Sequence, residues 1–187
     1  MNHLASILGM FFVLSEIALG VFKRAQRGAR IADRGSLSLI WIVICISVFC
    51  AFYVSFAMPQ AAFGAFSAAA GVLGMVLFAS GLALRWFAIV YLGRFFTVNV
   101  AIASDHKLID TGPYRFIRHP SYTGALMAFL GLGLCIGNWL SLAILLAPIL
   151  LVFLHRVRIE ETALLQGLGD QYRVYRDRTK RLIPGIY

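Results

Sequence analysis

The sequence predicts an all-α, polytopic integral membrane protein with about five transmembrane helices and a cytoplasmic, helical C-terminal region. Of the 187 residues, 60% are hydrophobic and only 13% are charged, whereas roughly a quarter of the residues in soluble domains are charged. The apolar residues form long runs, and the basic residues lie between them. A soluble core of this length cannot bury so much apolar surface, which favours a membrane protein.

Five apolar runs divide the chain. They cover residues 4–22, 37–58, 61–91, 122–137 and 139–154. The first run has an uncharged start and is followed by basic residues, which predicts a retained helix rather than a signal peptide. The third run is rich in alanine and glycine, which permits close helix packing. The last two runs are shorter than the roughly 20 residues needed to span a bilayer, so they predict a tight helical hairpin, tilted or shielded by the other helices.

The basic residues predict the orientation in the membrane. In a five-helix arrangement with an external N-terminus, every lysine and arginine except Arg85 falls on one side. The positive-inside rule makes that side cytoplasmic. We therefore interpret the net charge of +9 as membrane topology and attraction to anionic lipid headgroups, and we expect no nucleic-acid partner. Residues 1–91 are expected to hold three helices, and residues 92–187 a distinct functional region ending in the cytoplasm.

The C-terminal tail is too polar to span the membrane. Its sequence, RVRIEETALLQGLGDQYRVYRDRTKRLIP, predicts a helix with a modest apolar stripe. That stripe comprises Ile159, Ala163, Leu164 and Leu168. The three cysteines lie inside apolar runs and lack metal-ligand spacing with a histidine, so we interpret them as small buried hydrophobic residues and expect no metal site.

The stretch GPYRFIRHPSYTG, residues 112–124, interrupts the apolar pattern. Pro120 suits the first turn of a helix, which places His119 at its cap. A helix start offers backbone N–H groups to an anion, and Arg115 and Arg118 add positive charge nearby. The alternative is an interfacial belt of arginine and tyrosine at headgroup level.

A second cluster, HRVRIEE at residues 155–161, follows the last apolar run. Arg156 and Glu160 are four residues apart and share a helix face. They form either an ordinary surface ion pair or a functional site, because charge at a membrane boundary is costly.

The order and spacing of these motifs resemble the isoprenylcysteine carboxyl methyltransferase family, within a wider group that includes phospholipid N-methyltransferases. The resemblance covers roughly residues 82–185 and implies a cytoplasmic-facing site for S-adenosyl-L-methionine. The cofactor contacts that it implies are Asn99, His106, Lys107, Leu108, Ile109, Tyr114, His119, Pro120, Ser121, Tyr122 and Glu160. Asn99 departs from the longer amide expected there. The resemblance also implies that Arg156 binds the substrate carboxylate, so that Arg156 and Glu160 form the catalytic pair.

The resemblance implies a methyltransferase that O-methylates the carboxylate of an isoprenylcysteine-like lipidic acceptor. Two alternatives stay open. One is N-methylation of a phospholipid or another lipid amine, for which a base would matter. The other is a non-enzymatic membrane transporter or assembly factor, which would be expected to carry ionisable residues within the spans. Glu16 and Arg85 are the candidates for such residues, and both lie near a helix end.

Overall fold

The computed structural model describes residues 2–22, 30–31, 35–96, 101–102 and 108–187. The helices in these ranges are α1 (Asn2–Phe22), α2 (Ser36–Ala57), α3 (Ser67–Leu92), α4 (Pro120–Ile136), α5 (Trp139–Leu168) and α6 (Asp170–Arg178). Short 3₁₀ turns cover Pro59–Ala61, Gly64–Phe66, Gly93–Phe95 and Gly112–Arg115. Two short strands, β1 (Arg30–Ile31) and β2 (Ala101–Ile102), pair antiparallel. The helical architecture predicted from the sequence is confirmed in the described part of the chain.

Three of the described helices are long and apolar enough to cross a membrane: α2, α3 and α5. Two further apolar helices are shorter, α1 over Ala5–Leu19 and α4 over Pro120–Ile136. The protein therefore has the helices of an integral membrane protein. The arrangement with five spans stays a prediction.

Helix α5 differs from the sequence-based expectation. The sequence predicts one helix over the tail that follows the apolar run 139–154, whereas the structure divides that tail between α6 and the end of α5, which runs for 30 residues without a break. Pro148 lies inside the helix without ending it. The residues that follow are mostly good helix formers, so the polar segment simply extends the apolar one. Gly169, at φ +56°, separates α5 from α6.

The tightest packing joins α3 to α4, where glycines of both helices face each other. A Cβ on Gly81 would lie 2.6 Å from the carbonyl oxygen of Gly124, and a Cβ on Gly131 would lie 2.4 Å from that of Gly74. No side chain fits between these backbones. This packing agrees with the alanine- and glycine-rich composition of the third apolar run.

At the start of α5, a polar residue joins this helix to the end of α2. Asn138 caps α5 by accepting from the N–H of Ser141 at 3.0 Å, and its side-chain amide donates to the carbonyl of Met58 at 2.9 Å. The hydroxyl of Ser141 donates to the carbonyl of Ala51 at 2.7 Å. These bonds satisfy polar groups that lie away from water.

The chain after α6 returns to the start of α4. The N–H groups of Arg118 and His119 donate to the carbonyls of Lys180 and Arg181 at 2.8 and 3.0 Å. The hydroxyl of Thr123 donates to the carbonyl of Leu182 at 2.8 Å. We call residues 179–182 the C-terminal strap, because they hold the first turn of α4 from outside the helical bundle.

We predict that Gly81→Ala destabilises the protein by about 1–3 kcal/mol, because the new methyl group meets the backbone of α4. Gly71→Ala is the matched control in the same helix, since a Cβ there meets nothing within 4 Å. We expect this control to be neutral or stabilising by up to about 1 kcal/mol, the helix-propensity difference. Thermal unfolding in detergent compares the two variants, and equal stabilities would contradict the close packing of α3 on α4.

We predict opposite effects from removing two buried tyrosine hydroxyls of α6. The hydroxyl of Tyr175 donates to the carbonyl of Tyr114 at 2.7 Å, whereas that of Tyr172 has no hydrogen-bond partner among the described residues. Burial raises the pKa of both phenols, so both stay protonated near neutral pH. Tyr175→Phe should cost about 1 kcal/mol of unfolding free energy, while Tyr172→Phe should cost nothing or stabilise. Chemical denaturation of both variants tests this, and an equal loss would contradict it.

Candidate functional site

The first turn of α4 begins where the sequence predicts. His119 is the N-cap and Pro120 occupies the first helical position. The carbonyl of His119 accepts from the N–H groups of Tyr122 and Thr123, both at 3.1 Å. Because the N–H of His119 is bound to the C-terminal strap and Pro120 has none, this helix start has less capacity for an anion than the motif alone indicates.

Glu161 is the centre of the polar cluster beside this turn. Its side chain is only 8% exposed, and it accepts from Arg118 Nε at 2.8 Å and from Arg181 Nε and Nη2 at 3.0 and 2.9 Å. The Nε2 atom of His119 lies 3.4 Å from the same carboxylate. Hydrogen bonds to ionised partners are strong at a buried site. Glu161 therefore ties α5, the start of α4 and the strap together.

Arg118 is fully engaged in this structural network. Its Nη1 atom donates to the carbonyl of Arg176 at 2.9 Å and also to the carbonyl of Thr179. The positive charge that the sequence places near this helix start is therefore directed to Glu161 and to backbone carbonyls. Arg115, one helical turn earlier, is exposed.

Glu160 differs from its neighbour Glu161 in its surroundings. Its side chain is 32% exposed, and the hydroxyl of Tyr122 donates to its Oε2 atom at 3.2 Å. The Nδ1 atom of His119 lies 4.0 Å from that oxygen, and the rings of His119 and Tyr122 meet edge to face at 5.8 Å. Glu160 is thus held by buried side chains on one side and is accessible to solvent on the other. We call His119, Tyr122, Glu160 and Glu161 the α4-start cluster.

Arg156 lies one turn before Glu160 on α5. It is 2% exposed and donates a hydrogen bond to the hydroxyl of Ser36, at the start of α2. It also acts electrostatically on Tyr122. The structure therefore brings Arg156, Tyr122 and Glu160 to the same region.

Tyr114 is positioned by its own hydrogen bonds. It lies in the 3₁₀ turn Gly112–Arg115, where its buried hydroxyl donates to the carbonyl of Ala88 at 3.1 Å. Gly112 opens this turn at φ +57°, and a Cβ there would lie 2.5 Å from the ring of Tyr91, so only glycine fits. The hydroxyl of Tyr114 is thus engaged with α3, its N–H donates to Thr111 and its carbonyl accepts from Tyr175, so its ring is the group that we expect to meet a ligand.

The remaining predicted cofactor residues precede this turn. Leu108 and Ile109 are half-buried in an irregular segment. Asn99, His106 and Lys107 lie outside the described residues.

Sequence reasoning missed Glu161 and Arg181. The available signal was the pair of adjacent carboxylates, because consecutive residues of a helix point about 100° apart and so face different surroundings. Which of the two would be buried depends on the path of the strap, and this was not visible in the local pattern.

Comparison with known proteins identifies relatives of this chain. It is 35% identical over 105 residues to a protein-S-isoprenylcysteine O-methyltransferase of Schizosaccharomyces pombe, which covers 55% of this chain and 44% of the relative. It is also 35% identical over 117 residues to the Saccharomyces cerevisiae protein of the same name, covering 62% and 49%. The chain therefore spans about half the length of these relatives.

A solved structure shares the fold. It is that of a eukaryotic intramembrane Ras methyltransferase, an isoprenylcysteine carboxyl methyltransferase, which matches with a TM-score of 0.64 at 30% identity and covers 78% of this chain and 52% of the other. The model of the isoprenylcysteine carboxyl methyltransferase family matches residues 72–166, slightly more than half of the chain, and includes the α4-start cluster. The protein is thus a member of the isoprenylcysteine carboxyl methyltransferase family.

Proposed function

We propose that this protein is an S-adenosyl-L-methionine-dependent membrane methyltransferase that O-methylates the carboxylate of an isoprenylcysteine-like lipidic acceptor. The observation that carries the proposal is the half-exposed carboxylate of Glu160, held beside Tyr122 and His119 at the end of a membrane helix. Family membership supports the reaction class.

The residues of the α4-start cluster fit the chemistry of this cofactor. An exposed carboxylate such as Glu160 suits an ammonium group or ribose hydroxyls. The ring of Tyr122 offers a π-face to an adenine or a sulfonium. Asn99, the run His106–Ile109, Tyr114 and residues 119–122 complete the cofactor site that we propose. When bound, the cofactor supplies an electrophilic methyl group on sulfur.

Arg156 is the residue that we assign to the acceptor. A guanidinium holds a carboxylate with two parallel hydrogen bonds, and at a buried position this contact is strong and directional. The acceptor carboxylate is ionised at neutral pH and needs no general base. The contribution of the protein is then to orient the carboxylate and to exclude water around it.

The position of the site implies the route of the acceptor. A prenyl chain is insoluble in water, so we propose that it enters sideways from the bilayer between helices. We assign the site to residues 92–187 on the cytoplasmic side, with the N-terminus outside, because the basic residues segregate in that way. Residues 1–91 then supply the helices that surround it.

We predict that Glu160→Gln weakens cofactor binding by about ten- to a hundredfold, because a charged hydrogen-bond partner is lost. Asp170→Asn is the matched control, since that carboxylate is highly exposed in the same C-terminal region, and it should bind normally. Isothermal titration calorimetry with S-adenosyl-L-methionine on the detergent-solubilised proteins measures the difference. Wild-type affinity in a folded Glu160→Gln variant would remove Glu160 from the cofactor site.

We predict that Arg156→Lys retains cofactor affinity but loses methyl transfer, because an ammonium cannot reproduce bidentate binding of a carboxylate. The loss should appear in both kcat and the acceptor KM. Arg158→Lys, at an exposed position on the same helix, is the matched control and should transfer normally.

The assay uses a methyl-labelled cofactor with a panel of prenylcysteine and phospholipid acceptors. Base-labile label marks an ester and supports the proposal. Base-stable label on a phospholipid, or transfer by Arg156→Lys at the wild-type rate, would contradict a carboxylate acceptor and favour an amine.

A further inference from the structure

Two ionisable residues inside the apolar helices have no part in the site as proposed so far. Glu16 of α1 and Arg85 of α3 form a bidentate ion pair, with Arg85 Nε 2.6 Å from Oε1 and Nη2 2.7 Å from Oε2. Their side chains are 11% and 13% exposed. Charges at such positions in membrane helices are expensive and are commonly functional.

Arg85 also reaches the start of α4. Its Nη1 atom donates to the carbonyl of Ser121 at 3.1 Å, and Ser121 lies between His119 and Tyr122 of the α4-start cluster. The backbone of α4 passes so close that a Cβ on Gly124 would lie 2.6 Å from the backbone nitrogen of Arg85. Moving or removing the guanidinium of Arg85 would therefore change the contacts of the first turn of α4 directly.

Helix α1 presents Glu16 to this point as part of its buried face. Phe12, one turn earlier, packs against Phe129 of α4 with 4.5 Å between ring centroids. Leu19, nearly one turn later, is also buried. Glu16 therefore lies on the face of α1 that contacts the rest of the bundle. Its carboxylate binds the Nε and Nη2 atoms of Arg85, while Nη1 donates to the carbonyl of Ser121.

We propose that Glu16 is a positioning residue: by fixing the guanidinium of Arg85, it holds the carbonyl of Ser121 and so sets the first turn of α4 for cofactor binding. This inference rests on the proposed function of the α4-start cluster. It makes α1, which precedes the region matched by the family model, a functional part of the site.

A purely structural ion pair is the competing explanation. Replacing both partners of a buried ion pair by hydrophobic residues of similar volume is often harmless to stability, whereas removing one partner leaves an uncompensated charge. A double variant therefore distinguishes an effect on stability from an effect on cofactor binding. Neutralising both residues removes the unpaired charge but also removes the guanidinium from Ser121.

The experiment compares Glu16→Gln, Glu16→Asp and the double variant Glu16→Met/Arg85→Met with the wild type, all as full-length protein in detergent. Thermal unfolding reports stability, and calorimetry with S-adenosyl-L-methionine reports affinity. Ser15→Ala is the matched control on α1, because the hydroxyl of Ser15 donates to the carbonyl of Phe12 within its own helix.

We expect Glu16→Gln to weaken cofactor affinity by about tenfold, the effect of one lost charged hydrogen bond, and Glu16→Asp to recover part of it. The double variant should unfold near the wild-type temperature yet still bind the cofactor about tenfold more weakly. It decides the matter even if Glu16→Gln fails to fold. Wild-type affinity in the double variant, or in a folded Glu16→Gln, would overturn the positioning role. If the wild type itself bound no cofactor, the proposed function would fall instead.

Discussion

The buried carboxylate of Glu161 is the interaction on which the functional region depends. It lies near the end of a 30-residue helix and binds two arginines from segments far apart in the chain, Arg118 before α4 and Arg181 in the C-terminal strap. A buried charge is tolerated only when it is paired and fully hydrogen-bonded. The two guanidiniums meet that condition, and in doing so they fix three segments of the chain relative to one another.

This arrangement leaves the neighbouring carboxylate available. Because successive helical residues point in different directions, Glu160 turns away from the arginines and towards Tyr122 and solvent. Two adjacent acidic residues thus have separate tasks, one structural and one open to a ligand. The same helix carries the buried Arg156 a turn nearer the apolar segment, so the cofactor and the lipidic acceptor that we propose would both contact one continuous α5.

The sequence predicts the helical class, the five apolar helices and the start of α4 at His119 and Pro120, because hydrophobic runs and proline act locally. Prediction from the sequence fails where the position of a side chain depends on contacts between residues far apart in the chain. Nothing in the local pattern shows that Arg118 binds Glu161 or that residues 179–182 return to α4. For the same reason, the local pattern does not show that the hydroxyl of Tyr114 donates to the carbonyl of Ala88 in α3.

Two ion-pair systems lie on either side of the first turn of α4, and both hold backbone atoms of that turn in place. On one side, Glu161 and the strap hold the residues before the helix; on the other, Glu16 and Arg85 hold the carbonyl of Ser121. An ion pair is costly to form inside a bundle but sharply directional once formed, whereas the attraction between apolar groups is non-directional. Directional pairs on both sides of this turn hold its atoms where a ligand would need them fixed, and this is the reason that we propose for the charges of Glu16 and Arg85 in an apolar chain.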